Sequence, residues 1–214
     1  MFIRTESFQQ FIRSYPIVTA ILALQIGLWL LFAIPIPMIQ LGQDHLVGFN
    51  YGVAAGEWWR LLTPIFLHGS LTHILFNSMS LFLFAPALEY LLGKVRFLVI
   101  YLGAGFIGNL GTYWVEPLEY VHVGASGAIF GLFGVYLYLV LFKPHMMDRG
   151  NSQVILTILG VSVIMTFVNS NINIMAHLFG LIGGMILAPI TLFFHSKNDA
   201  IKLIKMSITP FNGS

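Results

Sequence analysis

Six stretches of this chain contain no Asp, Glu, Lys or Arg, and each meets or approaches the roughly 20 apolar residues a helix needs to cross a bilayer. They are residues 16–34, 65–88, 97–115, 121–142, 152–168 and 172–194. A chain cut this way is expected to be an all-α, polytopic membrane protein, with residues 1–214 forming a single domain of six transmembrane helices. Composition agrees. Apolar residues make up 57% of the 214 positions and charged residues 8%, against roughly 25% charged in a soluble domain. So few charges cannot cover a soluble core. A net charge of +2 supplies no basic stripe, which excludes a nucleic-acid partner. The absence of cysteine removes disulfides, thiolate metal sites and a cysteine nucleophile. The first apolar run exceeds the ~7–15 residues of a signal-peptide core and ends at Pro35 and Pro37 without a small-residue cleavage site, so it reads as a retained helix.

Basic residues set the expected orientation. With both termini cytoplasmic, the inner segments carry Arg4, Arg13, Lys94, Arg96, Lys143, Arg149, Lys197, Lys202 and Lys205, and the outer ones only Arg60. The 35–64 segment is too long for a simple turn, and Trp58 and Trp59 beside Arg60 read as an interfacial anchor or as loop packing. The 197–214 tail alternates Lys with apolar residues and is expected on the inner surface.

Polar side chains inside a bilayer are costly and mark cavities or sites. Here they are His68, His73 and Asn77 in the second stretch, Asn109 in the third, Ser126 in the fourth, Ser162 and Thr166 in the fifth, and His177 in the sixth. Stretches 2, 4 and 6 all descend from the outer side. His73, Asn77, Ser126 and His177 therefore fall at similar depth in the outer half of the membrane. His73 and Asn77 are i, i+4 and share a helix face. His68 and His73 are five apart, about 140° round a helix, and make poor joint ligands. The chain has no His-Glu-x-x-His for a zinc protease and no intramembrane acid for a carboxylate dyad or a proton relay. No metal or cofactor is expected. A serine with a histidine survives the elimination.

Glycine spacing suggests how the two could meet. Gly127 and Gly131 form one small-xxx-small pair and Gly180 and Gly184 another, and such pairs let helices approach closely in a bilayer. Ser126 directly precedes the first pair, and His177 lies three residues before Gly180. If the glycine faces pack, the hydroxyl comes within reach of the imidazole, which as a neutral base can take its proton. Taken singly, Ser126 reads as a small packing residue and His177 as a helix–helix hydrogen-bonding group; the joint arrangement favours chemistry. Donors for a developing oxyanion are at hand in His73, Asn77 and the Ser126 N–H near a helix start. With no acid to orient His177, the expected constellation is a dyad. Residues 124–127 are not the nucleophile elbow of soluble hydrolases, since position 128 is Ala and no strand is expected before it.

At these residues the chain resembles the rhomboid family of intramembrane serine proteases. Gly124-Ala125-Ser126-Gly127 resembles the nucleophile motif, His73-Ile74-Leu75-Phe76-Asn77 the His-x-x-x-Asn motif, and Ala176-His177-Leu178-Phe179-Gly180, with Gly184, the histidine segment. Trp59-Arg60 matches the first-loop Trp-Arg pair, and the likeness runs from residue 16 to residue 194. The resemblance implies Ser126 as nucleophile, His177 as base, and an oxyanion hole of His73, Asn77 and the Ser126 N–H. It gives His68 a supporting role, beside a reading as a buried hydrogen-bonding residue under the first loop. Phe76 matches a bulky gate position between helices 2 and 5, and Asn169-Ser170-Asn171 is expected to be a mobile cover over Ser126. Glu89 reads as structural and Gly93 as a helix stop. Phe130 departs from a frequent tyrosine under the imidazole, so the ring can stack while any hydroxyl bond is lost. Substrates implied are transmembrane helices of membrane proteins, cut near the outer face, often after a small residue, with the enzyme in a bacterial plasma membrane. The alternative is a catalytically inactive relative that binds or chaperones membrane proteins; such relatives typically lose the serine or the histidine. A channel or transporter is a more distant third, disfavoured by the missing intramembrane acids and the absence of an obvious repeat.

Overall fold

Caps, prolines and glycines divide the chain more finely than its charge-free runs do. The computed structural model describes Phe2, residues 6–168 and residues 172–192. Ser7 and Gln10 exchange backbone and side-chain hydrogen bonds in a reciprocal cap that opens α1 (Phe8–Ser14). Pro16 occupies the first position of α2 (Pro16–Phe32), where its missing N–H costs nothing, and the chain bends by 109° between the two helices. The free N–H groups of Ile17 and Val18 donate to the Glu89 carboxylate at 3.0 and 2.8 Å. Glu89 is thus the structural residue expected, holding the start of one helix from the side of another.

The segment read as an outer loop is more ordered than that. It contains α3 (Pro37–Leu46), a two-residue strand β1 (Gly48–Phe49), α4 (Asn50–Ala54) and two 3-10 turns, Trp58–Leu61 and Thr63–Phe66. Arg60 is the knot. It is buried, its guanidinium donates to the carbonyls of Asp44 and Val47 at 2.7 and 2.8 Å, and it pairs with Glu57. Trp59 donates its indole N–H to the His45 carbonyl at 2.9 Å, which ties it to the loop, and both Trp58 and Trp59 stay exposed.

The second expected span is displaced. α5 runs Leu71–Leu92 rather than from residue 65, because Thr63–Phe66 is a 3-10 turn and Ser70 caps the helix by accepting from the His73 N–H at 3.2 Å. His68 therefore precedes the helix, and helical spacing does not turn it away from His73 as expected: the two rings lie 5.0 Å apart. Gly93, at φ 77°, stops α5 as expected and starts α6 (Lys94–Val115). α7 (Ser126–Phe142) also begins later than expected. Before it stands a second short strand, β2 (Val121–His122), antiparallel to β1 with Gly48 opposite His122. The expectation that no strand precedes Ser126 is corrected; two residue pairs leave the all-α class intact. α8 (Arg149–Val168) and α9 (Ile174–Leu192) complete the described helices. The 169–171 link and the 197–214 tail, for which a cover and a surface position were expected, lie outside the described residues.

Six helices answer the six stretches, but the count of spans is not exact. Among the described residues α5, α6, α8 and α9 are long and apolar enough to cross a membrane, and α1 with α2 passes only as a bent pair. α7, at 17 residues, is about 25 Å long, short of the ~30 Å hydrocarbon core. The protein is an all-α, multi-pass membrane bundle.

At its centre α6, α7 and α9 pack against one another, with α9 in extensive contact with both of the others. A Cβ placed on Gly180 would fall 2.9 Å from the Gly127 carbonyl carbon, and one on Gly184 2.6 Å from that of Gly131, so the two glycine faces do pack, backbone on backbone. A Cβ on Gly108 of α6 would lie 2.7 Å from the Ala176 carbonyl oxygen, and one on Gly127 3.1 Å from the same atom. The residue before His177 is thereby pinned between two helices.

Candidate active site

Ser126 is the first residue of α7, so its N–H is among the four that a helix leaves without an intrahelical acceptor. The turn that delivers it depends on Gly124. At φ 136° this backbone is open to glycine alone, and its N–H donates to the Pro64 carbonyl at 2.9 Å. A Cβ on Gly124 would also stand 2.7 Å from His73 Nε2 and 3.8 Å from Ser126 Oγ. The imidazole of α5 and the hydroxyl of α7 thus flank one glycine Cα.

One turn into α7 lies Phe130, on the same face as Ser126. Its ring stacks on His177 with centroids 4.0 Å apart and planes 17° from parallel. The expected stack is present without a hydroxyl. His177 is buried on α9, and its Nδ1 is 2.8 Å from Thr166 Oγ1 of α8. In the sequence Thr166 stands out only as an intramembrane polar residue, and nothing there marks His177 as its partner. A lone threonine in an apolar helix ordinarily bonds its own backbone, as Thr112 and Thr191 do with the carbonyls of Gly108 and Leu187.

Asn77 lies one helical turn below His73 and is buried, and its Nδ2 has no hydrogen-bond partner. A buried amide donor left open costs free energy unless something arrives to accept from it. His68 is buried, with both ring nitrogens unpartnered, and meets His73 edge-on at 5.0 Å. Phe76 is 72% exposed on the outside of α5. The structure therefore groups Ser126, Phe130, His177, His73 and Gly124, sets Asn77 and His68 close behind His73, and leaves Phe76 on the surface.

Asn109 separates from this group. Its Nδ2 donates to the Leu61 carbonyl at 2.9 Å, and its Oδ1 lies 3.2 Å from His122 Nε2. Because the amide oxygen can only accept, His122 holds its proton on Nε2. Burial pushes the His122 pKa down to about 4, which keeps the ring neutral. Asn109 and His122 fasten the 58–61 turn and β2 to α6. Among the described residues no group of side chains could hold a metal ion.

The profile of the rhomboid domain family matches residues 55–194, the stretch that holds every residue of this group. A relative in Bacillus subtilis (strain 168), named "Putative rhomboid protease YdcA", is 64% identical over 188 residues, covering 88% of this chain and 94% of the relative. The rhomboid protease GluP of the same organism is 42% identical over 149 residues, which are 68% of this chain but only 29% of GluP. Rhomboid-like protease 1 of Toxoplasma gondii is 29% identical over 180 residues, 78% of this chain and 61% of that protein. A match over the greater part of the chain, with a relative 64% identical over 88% of it, makes this protein a member of the rhomboid family.

Proposed function

We propose that the chain is an intramembrane serine endopeptidase that uses Ser126 and His177 as a dyad on transmembrane helices. The observation that carries the reading is the double service of α7. Its first residue is a serine, and the residue one turn on is the ring stacked on His177. In this reading His177 Nε2 takes the Ser126 hydroxyl proton as Oγ bonds to the scissile carbonyl carbon. The carbonyl oxygen becomes an oxyanion, accepting from the Ser126 N–H, from Asn77 Nδ2 and from the His73 ring. Collapse of the tetrahedral adduct breaks the C–N bond, and the imidazolium returns its proton to the leaving amine. Water then enters and loses a proton to His177 as its oxygen bonds to the acyl carbon; the Ser126 Oγ–C bond breaks, the imidazolium returns that proton to Oγ, and the acid product leaves with the hydroxyl and the neutral base restored. The open Nδ2 of Asn77 supports the assignment, since donors that act on the transition state gain most when nothing else occupies them at rest.

Family membership and relatives named as proteases support a proteolytic rather than a chaperone role. The finer expectations belong to the same proposal: N- and C-termini cytoplasmic, a bacterial plasma membrane, cleavage near the outer face and entry past Phe76. The test is labelling of the purified protein by a fluorophosphonate, together with cleavage of a model transmembrane substrate. Labelling and cleavage should both vanish in Ser126→Ala and in His177→Ala with the melting temperature kept. Undiminished cleavage by folded Ser126→Ala would overturn the mechanism.

A further inference from the structure

Sequence and site leave one matter open: what a dyad without an acid uses to hold its base. A neutral imidazole carries one proton on one of two nitrogens, and only the tautomer with a bare Nε2 can accept the serine proton. In triads a carboxylate on Nδ1–H makes that choice. No carboxylate stands in the spans near His177, yet its Nδ1 is not alone.

We propose that Thr166 is the positioning residue of the dyad, selecting the Nδ1–H tautomer of His177. The hydroxyl has a single hydrogen and two neighbours, each at 2.8 Å: the Ser162 carbonyl oxygen and His177 Nδ1. A carbonyl can only accept, so the contact with Ser162 uses the hydroxyl hydrogen. Oγ1 is then an acceptor toward Nδ1, and the contact is a hydrogen bond only if Nδ1 carries the proton. The chain runs Nδ1–H to Thr166 Oγ1, then Oγ1–H to the Ser162 carbonyl, and each bond polarises the next. Nε2 is left with its lone pair.

The opposite assignment turns the hydroxyl toward a bare Nδ1 and puts the proton on Nε2. It gives up the Ser162 contact and leaves the histidine unable to act as a base. The assigned chain also survives catalysis, because the imidazolium formed during the reaction keeps Nδ1–H and the same acceptor. A neutral hydroxyl cannot stabilise that cation as a carboxylate would, so its contribution is orientation more than charge.

Placement supports the role. α8 buries only Ile155, Leu159 and Thr166 among its residues, and Thr166 is 1% exposed two residues from the described end of the helix. One face of the imidazole lies on Phe130, and the backbone beside it is held where Ala176 meets Gly108 and Gly127. Thr166 fixes rotation in the ring plane, which stacking alone leaves free.

The inference rests on His177 as the base, and the test separates the two. Thr166→Val keeps the shape and removes the hydroxyl, while Thr166→Ser keeps the hydroxyl and removes a methyl. In purified full-length protein, Thr166→Val should lower kcat about 10–100-fold with KM little changed, the range lost when an orienting partner of a functional histidine is removed. Thr166→Ser should restore kcat to within a few-fold of the parent. Nitrogen NMR of histidine-labelled protein, with the His177 signals assigned by their loss in His177→Ala, gives a readout independent of turnover. The parent and Thr166→Ser should show the proton on Nδ1, and Thr166→Val a mixture of tautomers. An Nε2–H parent, or a Thr166→Val protein that keeps the Nδ1–H tautomer and full kcat, overturns the proposal. Equal loss in Val and Ser variants would make Thr166 a packing residue and overturn it too. Failure of the dyad itself would appear instead as persistent cleavage in Ser126→Ala.

Discussion

The α6–α7–α9 unit and α8 are both apolar helices in one bundle, yet they are built in opposite ways. In the first, glycines bring backbones into contact, and side chains such as Phe97, Ile100, Tyr101, Leu132 and Leu139 are fully buried. α8 is nearly as long as α6 but leaves Leu156, Val161, Ile164, Met165 and Phe167 exposed. Lipid tails are as apolar as leucine, so helices in a bilayer gain little from hiding apolar surface, and close van der Waals packing does most of the holding. The difference teaches where precision resides. Ser126 and His177 sit on the glycine-packed helices, while α8 supplies a single buried threonine and is the least buried of the four long apolar helices.

The comparison breaks most severely at Gly180. Its nearest neighbour is backbone, so a valine there cannot be accommodated by a side-chain rotation. Gly180→Val should destabilise the protein by about 3 kcal/mol or more, the upper end of overpacking costs, and abolish cleavage with it. On α8 the matching change, Ile164→Ala at a side chain 61% exposed, should stay within about 0.5 kcal/mol. Thermal or steric-trapping unfolding of the two variants in the same micelles decides; equal losses would dissolve the contrast.

A second prediction moves rate without moving the frame. Asn77→Ala removes a buried donor that holds no helix to another, so under the proposed mechanism kcat should fall by about 10–100-fold, less than the 10²–10³ of a sole oxyanion donor if His73 shares the same oxygen. His73→Ala combined with Asn77→Ala should cost less in log rate than the two single changes together. If Asn77 instead bonds across helices, the melting temperature would drop, by about 0.6 kcal/mol worth of contact, and kcat would be spared.

The smallest expected effect concerns the outside of α5. Phe76 is mostly exposed, so Phe76→Ala should leave stability nearly unchanged and raise turnover of a transmembrane substrate by a few-fold if the ring narrows the entry path. A consistent fall in activity at constant stability would assign the ring to substrate contact or local packing.

Much of the site was legible because its chemistry is scarce. In a chain with so few polar groups inside its spans, Ser126, His177, His73 and Asn77 stand out one by one, and the glycine spacing already named the faces that bring α7 onto α9. Helix starts were harder. A charge-free run records what lipid tolerates, whereas a helix begins where a cap satisfies its first N–H groups, so α5 starts after Ser70 rather than at residue 65 and moves His68 off the helix. The order of the 35–64 segment was hidden as well, because Arg60 works through the carbonyls of Asp44 and Val47, and backbone acceptors leave no mark in a sequence.

By itself the sequence determined that the chain crosses a membrane several times, that its charge-free stretches hold no acid and no thiol, and that a serine and a histidine are the chemistry left there; Glu89 falls inside α5 only once the helix is seen to run to Leu92. Those conclusions follow from which residues exist, and lipid makes each polar one costly enough to be informative. Only the tertiary structure decided which nitrogen of His177 has a partner, that Phe130 lies flat beneath the ring, and that Asn77 Nδ2 is left open. These depend on rotations and depths of helices distant in the chain. A hydrogen bond turns on a few tenths of an ångström, which packing sets and residue spacing does not.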